Sequence, residues 1–253
     1  MVLMIGPVEE MLARVVEMTG AAHLTLIDPD SQSPKDAGRM AKAAAEGGTD
    51  AIMVGGSVGA AGRALEDTVR AIKEESKLPV ILFPSGVSGL CSNADAVFFM
   101  SLLNSRNASY LIENQALGAP LVYRYHLEPI PMAYVIVEPG GTVGWVGDAK
   151  LIPRSKPELA AAYALAGKYF GMRMVYLEAG SGAGVPVPLK MVATVKRALG
   201  DALLILGGGI RSGEAARDLV QAGADLIVTG TGVEKSENVA AFVREITLAI
   251  KGR

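Results

Sequence analysis

Short apolar runs alternate with longer amphipathic stretches along most of the chain. The apolar runs end at Gly, Pro or a charged residue, as strands do, whereas the longer stretches repeat their apolar positions with helical spacing. The apolar runs predict strands at residues 22–27, 51–54, 80–83, 96–100, 133–137, 174–177, 203–206 and 226–228. The longer stretches predict helices at 34–46, 62–76, 107–117, 157–169, 188–199, 212–222 and 237–250. Ser33 is the expected N-cap of the first of these helices, with Pro34 at its first position.

This order of elements is typical of a parallel sheet in the α/β class. Eight predicted strands separated mostly by helices favour a (β/α)8 TIM barrel that forms a single domain over residues 1–253. The interval at residues 84–93 is too short for an ordinary helix, so we expect a loop there in place of one crossover helix. Residues 121–132 interrupt the pattern, because two prolines and interleaved aromatics suit neither a central strand nor a regular helix. A doubly wound open sheet is the alternative fold.

Composition and charge exclude several classes of function. The 253 residues include 24 Lys or Arg and 26 Asp or Glu, and this balance argues against a nucleic-acid partner. A lone cysteine, Cys91, and two histidines cannot form an intramolecular disulfide or a typical structural zinc site. The apolar run at residues 1–5 is too short for a signal peptide, and no stretch is apolar enough to span a bilayer. We therefore expect a cytoplasmic protein that can touch a membrane surface.

Glycine-rich segments follow the last two predicted strands, at residues 207–209 and 229–232. In a TIM barrel the functional face lies at the carboxyl ends of the strands, and phosphate often binds after strands seven and eight. Backbone N–H groups without helical partners can hold an anion there, provided that no bulky side chain intervenes. These segments predict a phosphate site, although glycines at tight turns are the alternative explanation.

Carboxylates at other strand ends are candidates for catalysis and metal binding. Tyr176 and Glu178 are two residues apart on one strand and therefore face the same side, where Glu178 can accept a hydroxyl proton. Asp28 is the better candidate for Mg²⁺, which prefers oxygen ligands, because Asp30 can serve as a local cap. Ser57, after the second strand, can add a hydroxyl. His23 lies early in its strand, away from this face, and receives no catalytic role.

Several motifs together resemble the geranylgeranylglyceryl phosphate synthase family, including its heptaprenylglyceryl phosphate relatives. They are His23-Leu-Thr-Leu-Ile-Asp-Pro-Asp30, Thr49-Asp-Ala-Ile-Met-Val-Gly-Gly-Ser57, Ala94-Asp-Ala-Val-Phe-Phe-Met-Ser-Leu-Leu-Asn-Ser105, Ala133-Tyr-Val-Ile-Val-Glu-Pro-Gly140, Tyr176-Leu-Glu-Ala-Gly-Ser-Gly182 and Gly207-Gly-Gly-Ile-Arg211. The resemblance implies a modified TIM barrel and a Mg²⁺-dependent prenyltransferase. Such an enzyme transfers a geranylgeranyl group from geranylgeranyl diphosphate to the 3-hydroxyl of sn-glycerol 1-phosphate. This step forms the first ether bond of archaeal membrane lipids.

The resemblance also assigns residues to the site. Asp28 and Ser57 match the Mg²⁺ positions, and Glu178 matches the carboxylate that activates the acceptor hydroxyl. The glycerol phosphate site would comprise Tyr176, Leu177, Glu178, Ala179, Gly180, Ser181, Gly182, Gly207, Gly208, Thr229 and Gly230. The family further implies a homo-oligomer, either a dimer or a hexamer.

Two other functions stay open from the residues alone. A phosphate-binding TIM barrel can also be an isomerase, an aldolase or a flavoenzyme acting on another phosphorylated substrate. A barrel with the same features can instead bind a phosphometabolite without catalysis. Both alternatives share the phosphate site and differ from the first hypothesis in lacking prenyl transfer.

Overall fold

Eight parallel strands form a closed barrel in sequence order, with β1 pairing with both β2 and β8. The computed structural model describes residues 5–56 and 61–252. The strands are β1 (Ala22–Ile27), β2 (Ala51–Val54), β3 (Val80–Leu82), β4 (Ala96–Leu102), β5 (Glu128–Ile136), β6 (Met174–Glu178), β7 (Leu203–Gly207) and β8 (Leu226–Thr229). The TIM-barrel prediction is therefore confirmed, and the open-sheet alternative is wrong.

Helices surround the barrel. They are α1 (Pro7–Thr19), α2 (Pro34–Glu46), α3 (Gly62–Ser76), α4 (Asn114–Arg124), α5 (Gly141–Val146), α6 (Pro157–Tyr169), α7 (Leu189–Leu199), α8 (Gly213–Gln221), α9 (Thr231–Glu234) and α10 (Val239–Ile250). Ser33 caps α2 as predicted, since its side chain accepts a hydrogen bond from the N–H of Asp36. Among the described residues, no helix combines the length and the apolar character needed to cross a bilayer.

Alternation along the strands separates two apolar layers. On β6, Met174 and Tyr176 point into the barrel, whereas Val175 and Leu177 pack outward against the helices. The same two-residue period brings Glu178 to the inner side at the carboxyl end of the strand. This alternation decides which polar side chains reach the mouth of the barrel.

The crossover between β3 and β4 lacks an α-helix, as predicted for residues 84–93. Only a single 3₁₀ turn, Val87–Gly89, forms there. The outer surface of β4 is consequently covered by this loop and by α4, and an apolar groove remains between them.

The prediction that residues 121–132 are irregular is wrong. A π-helical turn, Ser109–Glu113, leads directly into α4, which continues through Pro120 to Arg124. Strand β5 then begins at Glu128, and its residues 128–134 pair with the whole of β4. The two prolines of this segment therefore lie within a regular strand.

The pairing of β5 explains why it tolerates prolines. Glu128 directs its N–H toward the β4 side, and Val137 directs its N–H to β6, so odd-numbered residues face β6. The register places Met132 opposite the first residue of β6. Pro129 and Pro131 precede that point, so their missing N–H groups remove no ladder hydrogen bond.

Helix α1, which the apolar pattern did not predict, covers the amino-terminal end of the barrel. Its Val8 and Leu12 belong to the interior apolar cluster. The carboxylate of Glu128 accepts hydrogen bonds from the N–H groups of Val8 at 2.7 Å and Glu9 at 2.8 Å. The guanidinium of Arg173 holds the Glu9 carboxylate with two hydrogen bonds of 2.6 Å. Glu128 on β5 and Arg173, immediately before β6, thus fix the helix at its first turn.

We predict that Glu128→Gln lowers the free energy of unfolding by about 1–2 kcal/mol. Each carboxylate oxygen of Glu128 accepts one helix N–H group, whereas the amide of glutamine has only one acceptor oxygen. The measurement is urea denaturation followed by circular dichroism. Glu10→Gln is the matched control, since Glu10 forms an exposed ion pair with Arg14 in the same helix and should change stability by less than about 0.5 kcal/mol. Equal effects of the two variants would contradict the proposed anchoring of α1.

Candidate functional site

The carboxyl ends of the strands open into a cavity of about 440 Å³. Residues from the loops after β1, β2, β3, β6, β7 and β8 line it, together with inward side chains of the strands themselves. Below the cavity, the rings of Phe83, Tyr134 and Tyr176 contact one another with centroids 5.1–5.7 Å apart. This aromatic layer separates the polar cavity from the apolar interior of the barrel.

Backbone N–H groups on one side of the cavity form a candidate anion site. Within the described residues, the N–H groups of Gly208, Gly209, Gly230 and Thr231 donate no hydrogen bond. Gly208 has φ +80°, and a Cβ there would collide with Glu178 Oε1 and lie 2.8 Å from the backbone N of Gly180. The glycine run after β7 therefore permits a close contact of backbone with backbone, and the free donors suit a phosphate.

The loop after β6 borders the same donors. The hydroxyl groups of Ser181 and Thr231 lie 3.1 Å apart across the mouth. Arg211 donates to the carbonyl oxygens of Gly182 at 3.3 Å and Ala183 at 3.1 Å. Sequence reasoning left Arg211 without a role, although it directly follows the glycine run and is the only Lys or Arg lining the cavity in residues 5–56 and 61–252. Its contacts hold this loop over the anion site.

Glu178 provides a buried carboxylate beside these donors. It is only 6% exposed, and its Oε1 accepts a hydrogen bond of 2.6 Å from the N–H of Gly180. Burial raises the pKa of Glu178 above its usual value, although hydrogen bonds from Tyr176 and Gly180 oppose that rise. Tyr176 and Glu178 face the cavity together, as predicted from their spacing. A carboxylate held this way is suited to accept a proton from a bound hydroxyl.

A second group of carboxylates lies at the end of β1. Asp28 accepts a hydrogen bond of 3.0 Å from the N–H of Asp30, and Gly56 packs directly against its carboxylate. Burial and the nearby Asp30 charge raise the pKa of Asp28, and burial and the Asp28 charge raise the pKa of Glu234. Neither Asp28 nor Glu234 forms a salt bridge with a described residue. Ser57, the other predicted metal ligand, lies outside the described residues.

Most of the predicted site residues meet in this cavity. The lining includes Asp28, Tyr176, Glu178, Ser181, Gly182, Gly208, Thr229 and Gly230. Gly207 packs against the Tyr176 hydroxyl, and Gly180 donates to Glu178. Leu177 and Ala179 instead lie in the layer between sheet and helices, because strand alternation turns their side chains outward. These two residues can reach a ligand only through their backbone.

The apolar groove beside β4 adjoins the polar cavity. Pro84, Ser85, Met100, Tyr134 and Val143 contribute to both. The lining of the groove comes mainly from β4, the loop at residues 84–93 and helices α4 and α5, together with Tyr110 before α4 and Tyr134 on β5.

Known proteins are similar to this chain in both sequence and architecture. The PcrB family profile matches residues 14–249. The chain belongs to the PcrB family. It is 70% identical over 246 residues, 97% of this chain and 96% of the relative, to a geranylgeranylglyceryl phosphate synthase from Methanothrix thermoacetophila. A Methanosarcina acetivorans protein of that name is 61% identical over 96% of this chain and 99% of its own length.

A solved structure of the family has the same fold. It is the (S)-3-O-geranylgeranylglyceryl phosphate synthase from Thermoplasma acidophilum in complex with sn-glycerol-1-phosphate. Its TM-score to this chain is 0.93 at 46% sequence identity, and the match covers 98% of this chain and 99% of that one. The family resemblance stated from the sequence motifs is therefore confirmed.

For this PcrB-family chain, we predict that Gly208→Ala weakens binding of inorganic phosphate by about tenfold or more. The added Cβ would displace the Glu178 carboxylate and strain a backbone that has φ +80°. Isothermal titration calorimetry measures the affinity. Gly184→Ala is the matched control, because a Cβ at Gly184 meets nothing within 4 Å. Unchanged phosphate affinity in folded Gly208→Ala would contradict the assignment of this turn to the anion site.

Proposed function

We propose that this chain is a geranylgeranylglyceryl phosphate synthase. It transfers the geranylgeranyl group of geranylgeranyl diphosphate to the 3-hydroxyl of sn-glycerol 1-phosphate. The observation that carries the proposal is the combination, in one cavity, of free backbone donors and the buried carboxylate of Glu178. The relatives named for this activity and the glycerol phosphate complex of a family member support it.

The acceptor binds through its phosphate group. The N–H groups of Gly208, Gly209, Gly230 and Thr231 donate to the phosphate oxygens, and the Ser181 hydroxyl adds a further donor at the mouth. The glycerol carbons then extend toward Tyr176 and Glu178, on the floor and wall of the cavity. This orientation presents the 3-hydroxyl to the carboxylate of Glu178.

In the transfer step, the oxygen of the 3-hydroxyl forms a bond with the prenyl carbon that carries the diphosphate. Glu178 accepts the proton that this hydroxyl loses. The carbon–oxygen bond to the diphosphate breaks, and the diphosphate leaves with the electron pair. Because the N–H of Gly180 holds the Glu178 carboxylate in place, the hydroxyl and carboxylate are aligned before reaction. The aromatic layer beneath them keeps water from the developing positive charge on the prenyl carbon.

The prenyl chain of the donor lies in the apolar groove beside β4. The shared lining at Pro84, Met100 and Tyr134 connects this groove to the cavity, so the diphosphate end meets the acceptor at the mouth. Burial of a long hydrocarbon against such side chains contributes about 0.8 kcal/mol for each CH₂ group. The missing crossover helix is what makes this surface accessible.

Asp28 is the proposed protein ligand for Mg²⁺, with Ser57 as its companion. The Asp28 carboxylate is half-buried and forms no salt bridge with a described residue, and burial together with the nearby Asp30 charge raises its pKa, so a bound cation would offset an unbalanced negative charge. The described residues contain no cluster of three metal-binding side chains, which fits an ion that takes most of its ligands from water and phosphate. When bound, Mg²⁺ neutralises the leaving diphosphate.

The proposal also bears on the cellular setting. We place the enzyme in the cytoplasm, in the synthesis of archaeal phospholipids, with peripheral contact to the membrane that supplies its apolar donor. We also propose that the enzyme forms a homo-oligomer, either a dimer or a hexamer. Large apolar side chains such as Trp145, Tyr169 and Phe170 are at least 74% exposed in the single chain, and subunit contacts would cover them. The alternatives lack such support. In particular, no described lysine lines the cavity to form a Schiff base in an aldolase.

The test is an assay with labelled sn-glycerol 1-phosphate and prenyl diphosphates of several lengths, with and without EDTA. We expect an ether product from geranylgeranyl diphosphate that EDTA abolishes and added Mg²⁺ restores. Product formation that survives chelation would contradict the metal assignment alone. No ether product from any donor would contradict the proposed function.

We predict that Glu178→Gln lowers kcat by about a hundredfold or more while the dissociation constant for sn-glycerol 1-phosphate changes little, since the amide keeps the shape but cannot accept the proton. In the unsubstituted enzyme, activity requires the ionised carboxylate. It should therefore fall as the pH decreases through the raised pKa of Glu178. This acidic limb of the pH–rate profile should be missing in Glu178→Gln. Turnover like that of the unsubstituted enzyme would rule out Glu178 as the base.

A further inference from the structure

A buried histidine joins the first and last strands of the barrel. His23 on β1 has no exposed surface. Its Nδ1 lies 2.9 Å from Thr49 Oγ1, and its Nε2 lies 2.9 Å from Thr229 Oγ1 at the end of β8. Thr25 completes the cluster by donating to Thr49 Oγ1 at 3.1 Å. The transfer step described above uses none of His23, Thr25 and Thr49.

The hydrogen bonds of this cluster have one consistent direction. Thr49 donates its hydroxyl proton to the carbonyl oxygen of His23 at 3.1 Å. Its oxygen can then accept from Thr25 and from Nδ1–H, which leaves Nε2 as the acceptor for the Thr229 hydroxyl. Burial and the charge of Lys251 lower the pKa of His23 to about 3, so the ring is neutral and fits this arrangement.

Thr229 connects the cluster to the cavity. Val228 points into the barrel, so Thr229 points outward into the wall, where its hydroxyl meets His23. The residue therefore borders the cavity with its backbone, and the next N–H along the chain is the free donor of Gly230. The side-chain hydrogen bond thus fixes the peptide group that leads into the anion site.

We propose that His23 is a positioning residue for the acceptor phosphate. By holding the Thr229 hydroxyl, it sets the end of β8 so that the N–H of Gly230 faces the phosphate of sn-glycerol 1-phosphate. This inference rests on the proposed function. It adds a residue that touches no substrate and that acts on the acceptor site without acting on the donor site.

Two substitutions of His23 separate this role from simple structural support. The amide of His23→Gln reaches the position of Nε2 and keeps a partner for Thr229. The shorter amide of His23→Asn reaches only the position of Nδ1 and keeps a partner for Thr49. Both remove a buried ring, so both should lower the melting temperature. Only loss of the Thr229 contact should affect the acceptor.

We expect His23→Asn to raise the dissociation constant and the KM for sn-glycerol 1-phosphate about tenfold. Its KM for geranylgeranyl diphosphate and its kcat should stay within about twofold of the unsubstituted enzyme, and His23→Gln should restore acceptor affinity. Calorimetry and steady-state kinetics give these values. Thr229→Val, which removes the hydroxyl while keeping the shape, should match His23→Asn and provides the same test if the histidine variants do not fold.

The outcomes distinguish the inference from the proposal on which it rests. Acceptor affinity unchanged in both His23→Asn and Thr229→Val, or equally weakened in His23→Gln and His23→Asn, would overturn the positioning role. In those cases the unsubstituted enzyme still binds sn-glycerol 1-phosphate, and the proposed function stands. Failure of the unsubstituted enzyme to bind it would overturn both.

Discussion

Pairing between β1 and β8 is the constraint on which the site depends. These strands come from opposite ends of the chain, and their register joins Ala22–Thr25 to Leu226–Thr229. Closure brings Asp28, at the end of β1, to the same mouth as the glycines that follow β8. In an open sheet these two groups would lie at opposite edges. The proposed metal ligand Asp28 and the candidate anion site therefore share one cavity because the barrel closes.

The absence of an α-helix between β3 and β4 accounts for the apolar groove beside the cavity. An ordinary crossover helix after β3 would cover the outer face of β4, where Val97 and Phe99 lie. The loop at residues 84–93 makes only one 3₁₀ turn, so part of that apolar face stays accessible beside the polar cavity. The fold thereby places an apolar groove next to the candidate anion site, as the proposed prenyl diphosphate donor requires.

Local sequence pattern was sufficient for most of the barrel and for the polar strand ends. Strand alternation placed Tyr176 and Glu178 on one face, and the glycine runs coincide with the free backbone donors of the candidate anion site. The elements that it missed depend on contacts between distant segments. Helix α1 is defined by the open barrel end that it covers, and the prolines of β5 are tolerated only because β6 begins after them. The start of one strand relative to another is not encoded in either strand alone.

The same reasoning explains why Arg211 and His23 received no role from the sequence. Arg211 follows a recognisable glycine run, but its partners are carbonyl oxygens of another loop, which carry no side-chain signal. His23 lies among apolar residues, as a packed histidine does, and only barrel closure brings it to Thr229. Motifs identify groups that touch a ligand through their own side chains. Residues that hold those groups in place become visible only when the distant partners are known.

The charges lining the cavity favour different binding modes for the two substrates of the proposed reaction. Asp28, Asp30, Glu178 and Glu234 line it against a single described cation, Arg211. An anion near Asp28 therefore requires a bound cation, whereas the backbone donors after β7 and β8 hold a phosphate with no change of protonation. In the proposed reaction, the diphosphate with Mg²⁺ would therefore bind at the β1 end, and the monophosphate would bind at the glycine turns. Charge and backbone geometry thus give the cavity two distinct places for the phosphorylated substrates of the proposed reaction, on a chain whose net charge is only −2.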